Sequence, residues 1–175
     1  DSTVMQRTLK EITVKFPAKK YGLVLWSHGS GWVPQSRAIG IDNGKNTSSN
    51  NGLQMDITTL RGVLENLPHM EYILFDACLM GGIETAYELR DKCSVVGFSQ
   101  TEVLAEGFNY PTLTKHLLMK ERTDPKSVCD DYFQQYALQS GVYQSATISC
   151  IDCGKLDPLA ETCRELFNKY ETELK

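Results

Sequence analysis

Two short motifs hold the side chains best suited to covalent chemistry. Trp26-Ser27-His28-Gly29-Ser30-Gly31 sets an imidazole among glycines, and Asp76-Ala77-Cys78-Leu79-Met80-Gly81-Gly82 sets a thiol beside a carboxylate and two more glycines. A thiol becomes a good nucleophile once a base or an electropositive site favours its thiolate, and imidazole supplies such a base. Glycine lets main-chain N–H groups come close to an oxyanion, so those of Gly29 and Cys78 are candidate donors to a tetrahedral intermediate. Taken singly each motif has a plainer reading, since a strand-end His is most often only hydrogen-bonded and a buried Cys is usually inert. Their common position in the fold is what raises the nucleophilic reading.

Both motifs follow short apolar runs. Residues 21–26, 72–75, 94–98 and 145–151 read as buried strands. Helical spacing appears between and around them: Met5, Leu9, Ile12 and Phe16 up to Pro17; Ile57, Leu60, Leu64 and Leu67 up to Pro68; then Ile83, Ala86 and Tyr87. Further helices start at Pro111 and Pro125, and Leu159, Cys163, Leu166 and Tyr170 mark a closing one. This alternation predicts an α/β fold, an open and mostly parallel sheet with helices on both faces. Ligands of such sheets sit outside the carboxyl ends of the strands, where residues 27–31, 76–82, 99–107 and Asp152 fall. His28 and Cys78, fifty residues apart, would then face each other at neighbouring strand ends. Cys78 also precedes an expected helix, whose N-terminal partial charge favours a thiolate.

The 175 residues amount to about one domain at roughly 150 residues each. Hydrophobic residues at 41% and charged residues at 23% describe a folded chain, and 18 basic against 22 acidic side chains give a net charge of −4. No overall positive field is available for a phosphate backbone, which argues against nucleic acid as a partner. No apolar run approaches the roughly 18 residues of a membrane span, and the first residues show no signal-peptide core. Residues 33–52 are polar and glycine-rich, with Asn43-Gly44 and a Ser/Asn tract, and predict an exposed mobile loop. The six cysteines have no disulfide-framework spacing, and Cys150-x-x-Cys153, lacking a second pair, reads as packing rather than zinc or redox chemistry. His69 and His116 are expected to be exposed and without metal partners, and Asn46-Thr47-Ser48 reads as polar loop rather than a glycosylation site.

The run Tyr-Gly-Leu-Val-Leu-Trp26-Ser27-His28-Gly29-Ser30-Gly31-Trp32, together with Phe75-Asp76-Ala77-Cys78-Leu79-Met80-Gly81 and Ser99-Gln100-Thr101-Glu102, resembles the clostripain family of cysteine peptidases. Caspases, gingipains, legumain and separase are more distant relatives. The resemblance implies a caspase-like domain over residues 1–175, a His28/Cys78 dyad and endopeptidase cleavage after Arg or Lys. A basic side chain needs a carboxylate partner in its pocket. Asp76 matches the family position associated with that pocket, although a plain capping role suits it equally. Glu106 is a second candidate with Glu102 behind it, each equally readable as a solvated loop charge, and Ser27 joins the substrate-binding set.

Family maturation by self-cleavage after a basic residue makes Lys45 the first candidate site and Arg37 the second, both within 33–52. No cofactor is required. Calcium, used by some relatives, would find acidic and amide side chains near Asp42, but no calcium-loop spacing is present. The resemblance also implies two strands and a helix ahead of the His-bearing strand, where only about twenty residues precede Tyr21. The completing elements are therefore expected on a separate N-terminal chain or in sequence beyond these residues. Family context implies a bacterial protein exported to the periplasm, cell surface or medium. Two rivals remain: a non-catalytic caspase-like binding or scaffold domain, and a thiol-disulfide or zinc protein using Cys150 and Cys153.

Overall fold

The computed structural model describes residues 1–31, 38–42, 53–119 and 122–174. Helix α1 (Ser2–Lys15) leads into β1 (Tyr21–Trp26), followed by β2 (Ile39–Asp42), β3 (Leu53–Met55) and α2 (Ile57–Leu64). Then come β4 (Met70–Asp76), α3 (Ile83–Leu89), β5 (Cys93–Phe98), α4 (Tyr110–Leu118), α5 (Pro125–Ala137), β6 (Ser149–Asp152) and α6 (Leu156–Lys169). Four strands form one sheet in the order β1-β4-β5-β6, with β1, β4 and β5 parallel and β6 antiparallel at the edge. None of the described helices is long and apolar enough to cross a membrane.

Central β4 shows why this sequence makes a two-faced sheet. Its run Tyr-Ile-Leu-Phe is apolar at every position, and strand alternation sends successive side chains to opposite sides. Ile73 and Phe75 enter a core with Leu60 and Leu64 of α2, Ala86 and Leu89 of α3, and Val96 and Phe98 of β5. Tyr72 and Leu74 enter the other, with Phe108, Leu113, Leu117, Val128, Tyr132 and Tyr136 from α4, α5 and the segment before them. Prolines sit in the first turns of α4 and α5, where Asn109 and Asp124 cap the free N–H groups of Thr112 and Ser127.

The expected sheet is present with four differences in detail. The last strand starts at Ser149 rather than 145, because its partner β5 ends at Phe98 and the ladder ends there with it. Within 33–52, where an exposed loop was expected, residues 39–42 pair antiparallel with β3. Ala38 and Ile39 are buried at 4% and 6% exposure, two apolar residues masked by a polar tract. Lys45 and Arg37 lie outside the described residues. On α1, Met5 and Leu9 pack on the core, but Ile12 and Phe16 are exposed, since fourteen-residue α1 outruns eight-residue α2 beside it. On α6 only Leu156 is buried, while Leu159, Leu166 and Tyr170 remain exposed.

Candidate active site

Parallel register between β1 and β4 aligns Trp26 with Asp76, and the Ser27 N–H donates to the Asp76 carbonyl at 3.3 Å. The residues beyond, carrying His28 and Cys78, leave the sheet side by side. Three main-chain links then fix the His loop: Gly29 bridges Ile39, Ser30 N–H donates to Ala38 O at 3.0 Å, and Gly40 N–H donates to His28 O at 2.9 Å. Glycine is required where the two loops touch. A methyl on Gly29 would lie 2.4 Å from the Cys78 carbonyl oxygen, and one on Gly31, at φ +77°, 2.7 Å from that of Leu79.

The Cys turn is held from its other side. Leu79 adopts φ 61°, the left-handed region that a branched side chain disfavours. Its N–H donates to Thr101 O at 3.0 Å, and Gly81 N–H donates to Ser99 O at 2.7 Å. The Thr147 hydroxyl, just before β6, accepts from the N–H groups of Gln100 and Thr101 at 3.1 and 3.2 Å and so fixes that supporting loop. The helix expected just after the Cys78 turn is present, α3 starting at Ile83 with Gly82 as its cap, but the thiol stands four residues ahead of that cap, outside the first turn. Instead the half-buried Cys78 sulfur accepts the Val103 N–H at 3.2 Å, and its S–H donates to the Val103 carbonyl at 3.6 Å. No hydrogen bond joins the thiol to His28, whose side chain is exposed.

Both side chains line one cleft of about 430 Å³. Trp26, Ser27, Asp76, Ala77 and residues 103–105 complete its lining. Asp76 is 3% exposed, and its Oδ2 accepts from Phe108 N–H at 3.2 Å and from the Tyr110 hydroxyl at 3.0 Å. Its Oδ1 is buried without a hydrogen-bond partner among the described residues. Burial raises the Asp76 carboxyl above its usual range, against the lowering effect of these two donors. Tyr110 in turn is pushed up to about 12, first by burial and then by the adjacent carboxylate. Gly107, at φ +57°, closes over the same carboxylate, and a methyl there would sit 2.4 Å from Oδ2. The buried Tyr136 hydroxyl pins that glycine through its carbonyl at 3.0 Å.

His28, Cys78, Asp76 and half-buried Ser27 are thus brought together, while Glu102 and Glu106 are exposed and stand outside the cleft lining. The Gly29 and Cys78 N–H groups have no main-chain acceptor among the described residues, as an oxyanion-binding pair requires. Val103, Gly107 and Tyr110 were missed as site residues. The one available signal was their place in the polar segment after β5, at the carboxyl edge of the sheet. His116, expected exposed, is half-buried against Asp131 at 2.9 Å. Among the described residues no group of three or more His, Cys, Asp or Glu side chains converges on a metal position, and the Asp42 side chain lies outside them.

The sheet and its strand-end cleft have the architecture of the C11 cysteine proteases. The chain belongs to the clostripain family, whose profile matches residues 1–175. It is similar to a secreted C11 cysteine protease from Bacteroides thetaiotaomicron solved with an irreversible peptide inhibitor, at 30% identity and a TM-score of 0.82, covering 96% of this chain and 49% of that one. An inactive zymogen C11 protease from Parabacteroides distasonis matches at 32% identity and a TM-score of 0.76, covering 95% of this chain and 44% of that one. A clostripain from Bacteroides thetaiotaomicron in complex with the peptide inhibitor BTN-VLTK-AOMK matches at 35% identity and a TM-score of 0.61, over 69% of this chain and 53% of that one. The chain therefore spans about half the length of these solved relatives. No curated protein sequence matches it.

Proposed function

We propose that this chain carries the catalytic centre of a cysteine endopeptidase that cleaves after Arg or Lys. The observation that carries the reading is the unpartnered Oδ1 of buried Asp76, in the same cleft as Cys78 and His28. A buried carboxylate oxygen without a donor is costly, and a guanidinium or ammonium entering the cleft would satisfy it. The family relative solved with an inhibitor whose peptide part ends in Lys supports the same preference. Exposed Glu106 and Glu102 are less suited to the pocket floor and better suited to attracting a basic segment to its rim.

In the proposed reaction the Cys78 sulfur attacks the scissile carbonyl carbon, and the S–H proton passes to the His28 imidazole. The Val103 N–H directed at the sulfur remains a donor to it, and the S–H···O contact to Val103 is given up as the proton leaves. The N–H groups of Gly29 and Cys78 receive the developing oxyanion. His28 then protonates the departing amine, and water, giving its proton to His28, hydrolyses the thioester. Only water and these side chains are needed, so the reading requires no cofactor.

Self-processing at Lys45, or secondly Arg37, is part of the proposal, as is export, which the relative described as secreted supports. A new N-terminus at Asn46 in active protein is the expected mark of processing, and an intact Lys45–Asn46 bond in fully active protein would sink it. The outer edge of β1, without a strand partner among the described residues, is proposed to receive a further strand supplied by a separate chain or by more of this one.

The deciding experiment offers fluorogenic peptides with Arg, Lys, Asp, Asn or Leu before the scissile bond, with Cys78→Ala as the control. Turnover confined to Arg and Lys and lost in the control is the expected result. Equal turnover on Leu peptides would remove the Asp76 pocket assignment, and turnover surviving Cys78→Ala would remove the nucleophile.

A further inference from the structure

The sequence presents Cys150-x-x-Cys153 as simple packing, yet in the fold each of these cysteines meets a cysteine from another element. Cys153, in the turn after β6, has its sulfur 3.8 Å from that of Cys93 at the start of β5, and both residues are buried. Cys150 lies within β6 in register with Gly97 of β5. The Cys129 sulfur of α5 occupies the space over that glycine, 3.1 Å from where a methyl would stand, which sets it beside the residue that Cys150 faces across the ladder. Four of the six thiols therefore form two pairs, and both pairs use the β6 end of the chain. Cys78 lies apart in the cleft, and Cys163 lies on α6. All six are free thiols in this structure.

We propose that Cys129–Cys150 and Cys93–Cys153 are two disulfide sites, closed by a small-molecule disulfide oxidant, which clamp the edge strand β6 to α5 and to β5. A disulfide brings two sulfurs to about 2 Å with their Cβ atoms roughly 4 Å apart, within reach of the Cys93 and Cys153 thiols at 3.8 Å and of Cys129 and Cys150 on either side of Gly97. Half-exposed Cys150 is the entry point, because oxidant reaches it before buried Cys129, and the neighbouring Cys129 thiol shifts its pKa downward. The Cys150 thiolate attacks one sulfur of oxidised glutathione and expels one glutathione thiolate. Cys129 then loses its proton to solvent and displaces the second glutathione from Cys150. Two protein thiols give up two electrons and two protons, and the oxidant becomes two reduced glutathiones.

The second pair closes by the same exchange but less readily. Cys93 and Cys153 are only 1% and 4% exposed, so oxidant reaches them when the edge strand opens. Because β6, among the described residues, pairs only with β5, that opening breaks one ladder and leaves the parallel part of the sheet intact. The sixty-residue separation of Cys93 and Cys153 makes their link the larger constraint on the unfolded chain. Thr147, two residues before β6, supports the loop carrying Thr101 and Val103, so a clamped β6 steadies the loop against the Cys78 turn. None of this depends on the proposed peptidase activity.

The test equilibrates the full-length protein in glutathione buffers of rising oxidised fraction. Samples are quenched in acid, alkylated, digested without reduction and mapped by mass spectrometry. The expected map joins Cys129 to Cys150 in milder buffers and Cys93 to Cys153 in stronger ones, with Cys78 outside both links. The doubly linked form should melt roughly 5–10 °C above the reduced form. Cys150→Ala should lose the first link and keep the second, and Cys129→Ala gives the same readout if that variant fails to fold. Four alkylated thiols in the most oxidising buffer, or a dominant Cys150–Cys153 link, would overturn the proposal, and the unmodified protein alone decides between these maps.

Discussion

The Tyr110 hydroxyl donates to Oδ2 of Asp76 at 3.0 Å across 34 residues of sequence, and Oδ1 of the same carboxylate has no partner among the described residues. One oxygen is occupied by the protein, and the other is a buried oxygen without a donor in a residue that lines the cleft. Tyr110→Phe removes one of two donors to Oδ2 without changing the shape of the ring. KM for Arg and Lys peptides should rise about 5- to 10-fold with kcat little changed, because the loss of one charged hydrogen bond loosens the carboxylate rather than the chemistry. Since that donor lowers the Asp76 pKa, its loss should move the acid limb of the kcat/KM profile to higher pH. Steady-state kinetics across pH checks both, and an unchanged KM with an unmoved acid limb would leave Tyr110 a packing residue.

Asp76→Asn separates stability from activity. Burial raises the Asp76 pKa above 3.8, so the folded state binds this proton more readily than the unfolded chain does. The stabilising contribution is fully present below 3.8 and is lost as pH rises through the higher folded value. The amide keeps both Oδ2 contacts and removes the buried charge. At pH 7 the variant should therefore unfold at a higher urea concentration than the parent, with the gap narrowing as pH falls. Activity on Arg and Lys peptides should drop about 10²- to 10³-fold, the cost of an unpaired cation in a buried pocket.

Two glycine-to-alanine changes should act in opposite directions. At Gly107 the new methyl would meet Asp76 Oδ2 at 2.4 Å, and the residue already stands at φ +57°. Loss of at least about 2 kcal/mol of stability, with activity lowered in parallel, is expected. At Gly62, inside α2 with nothing within 4 Å, alanine meets no obstacle. It should stabilise the protein by about 0.5–1 kcal/mol and leave the kinetics alone. Urea unfolding of the two variants beside the parent tests the pair.

Leu79 stores strain one residue after the candidate nucleophile. A β-branched replacement tolerates φ 61° less well than leucine, so Leu79→Val should cost about 1–2 kcal/mol, whereas Leu79→Asn should cost less than Leu79→Val. Equal stability of the two variants, measured by denaturant midpoint, would show that the left-handed turn is not retained.

Much of the fold was legible because β1, β4 and β5 each carry a short apolar run, the longest in β4, which suits a sheet covered on both faces. The His and Cys loops were legible for the same reason, as they begin where those runs stop. Direction was not: nothing in Ser149–Asp152 distinguishes a parallel strand from the antiparallel edge strand it forms. The β2–β3 pairing was hidden because Ala38 and Ile39 are two buried residues in an otherwise polar stretch. Tyr110 and Val103 escaped because their roles arise from contacts 34 and 25 residues away in sequence, which no local spacing encodes. Leu79 escaped because leucine gives no hint of a left-handed backbone.

The contacts of Gly29 and Gly31 with the carbonyls of Cys78 and Leu79 make the spacing between imidazole loop and thiol loop a property of the main chain. Side chains around the cleft, such as Ser27 and Leu104, are not part of that spacer. Pocket preference and reaction geometry are thus mechanically uncoupled: the walls can be recut by substitution while the distance across the reacting groups stays where two backbones meet.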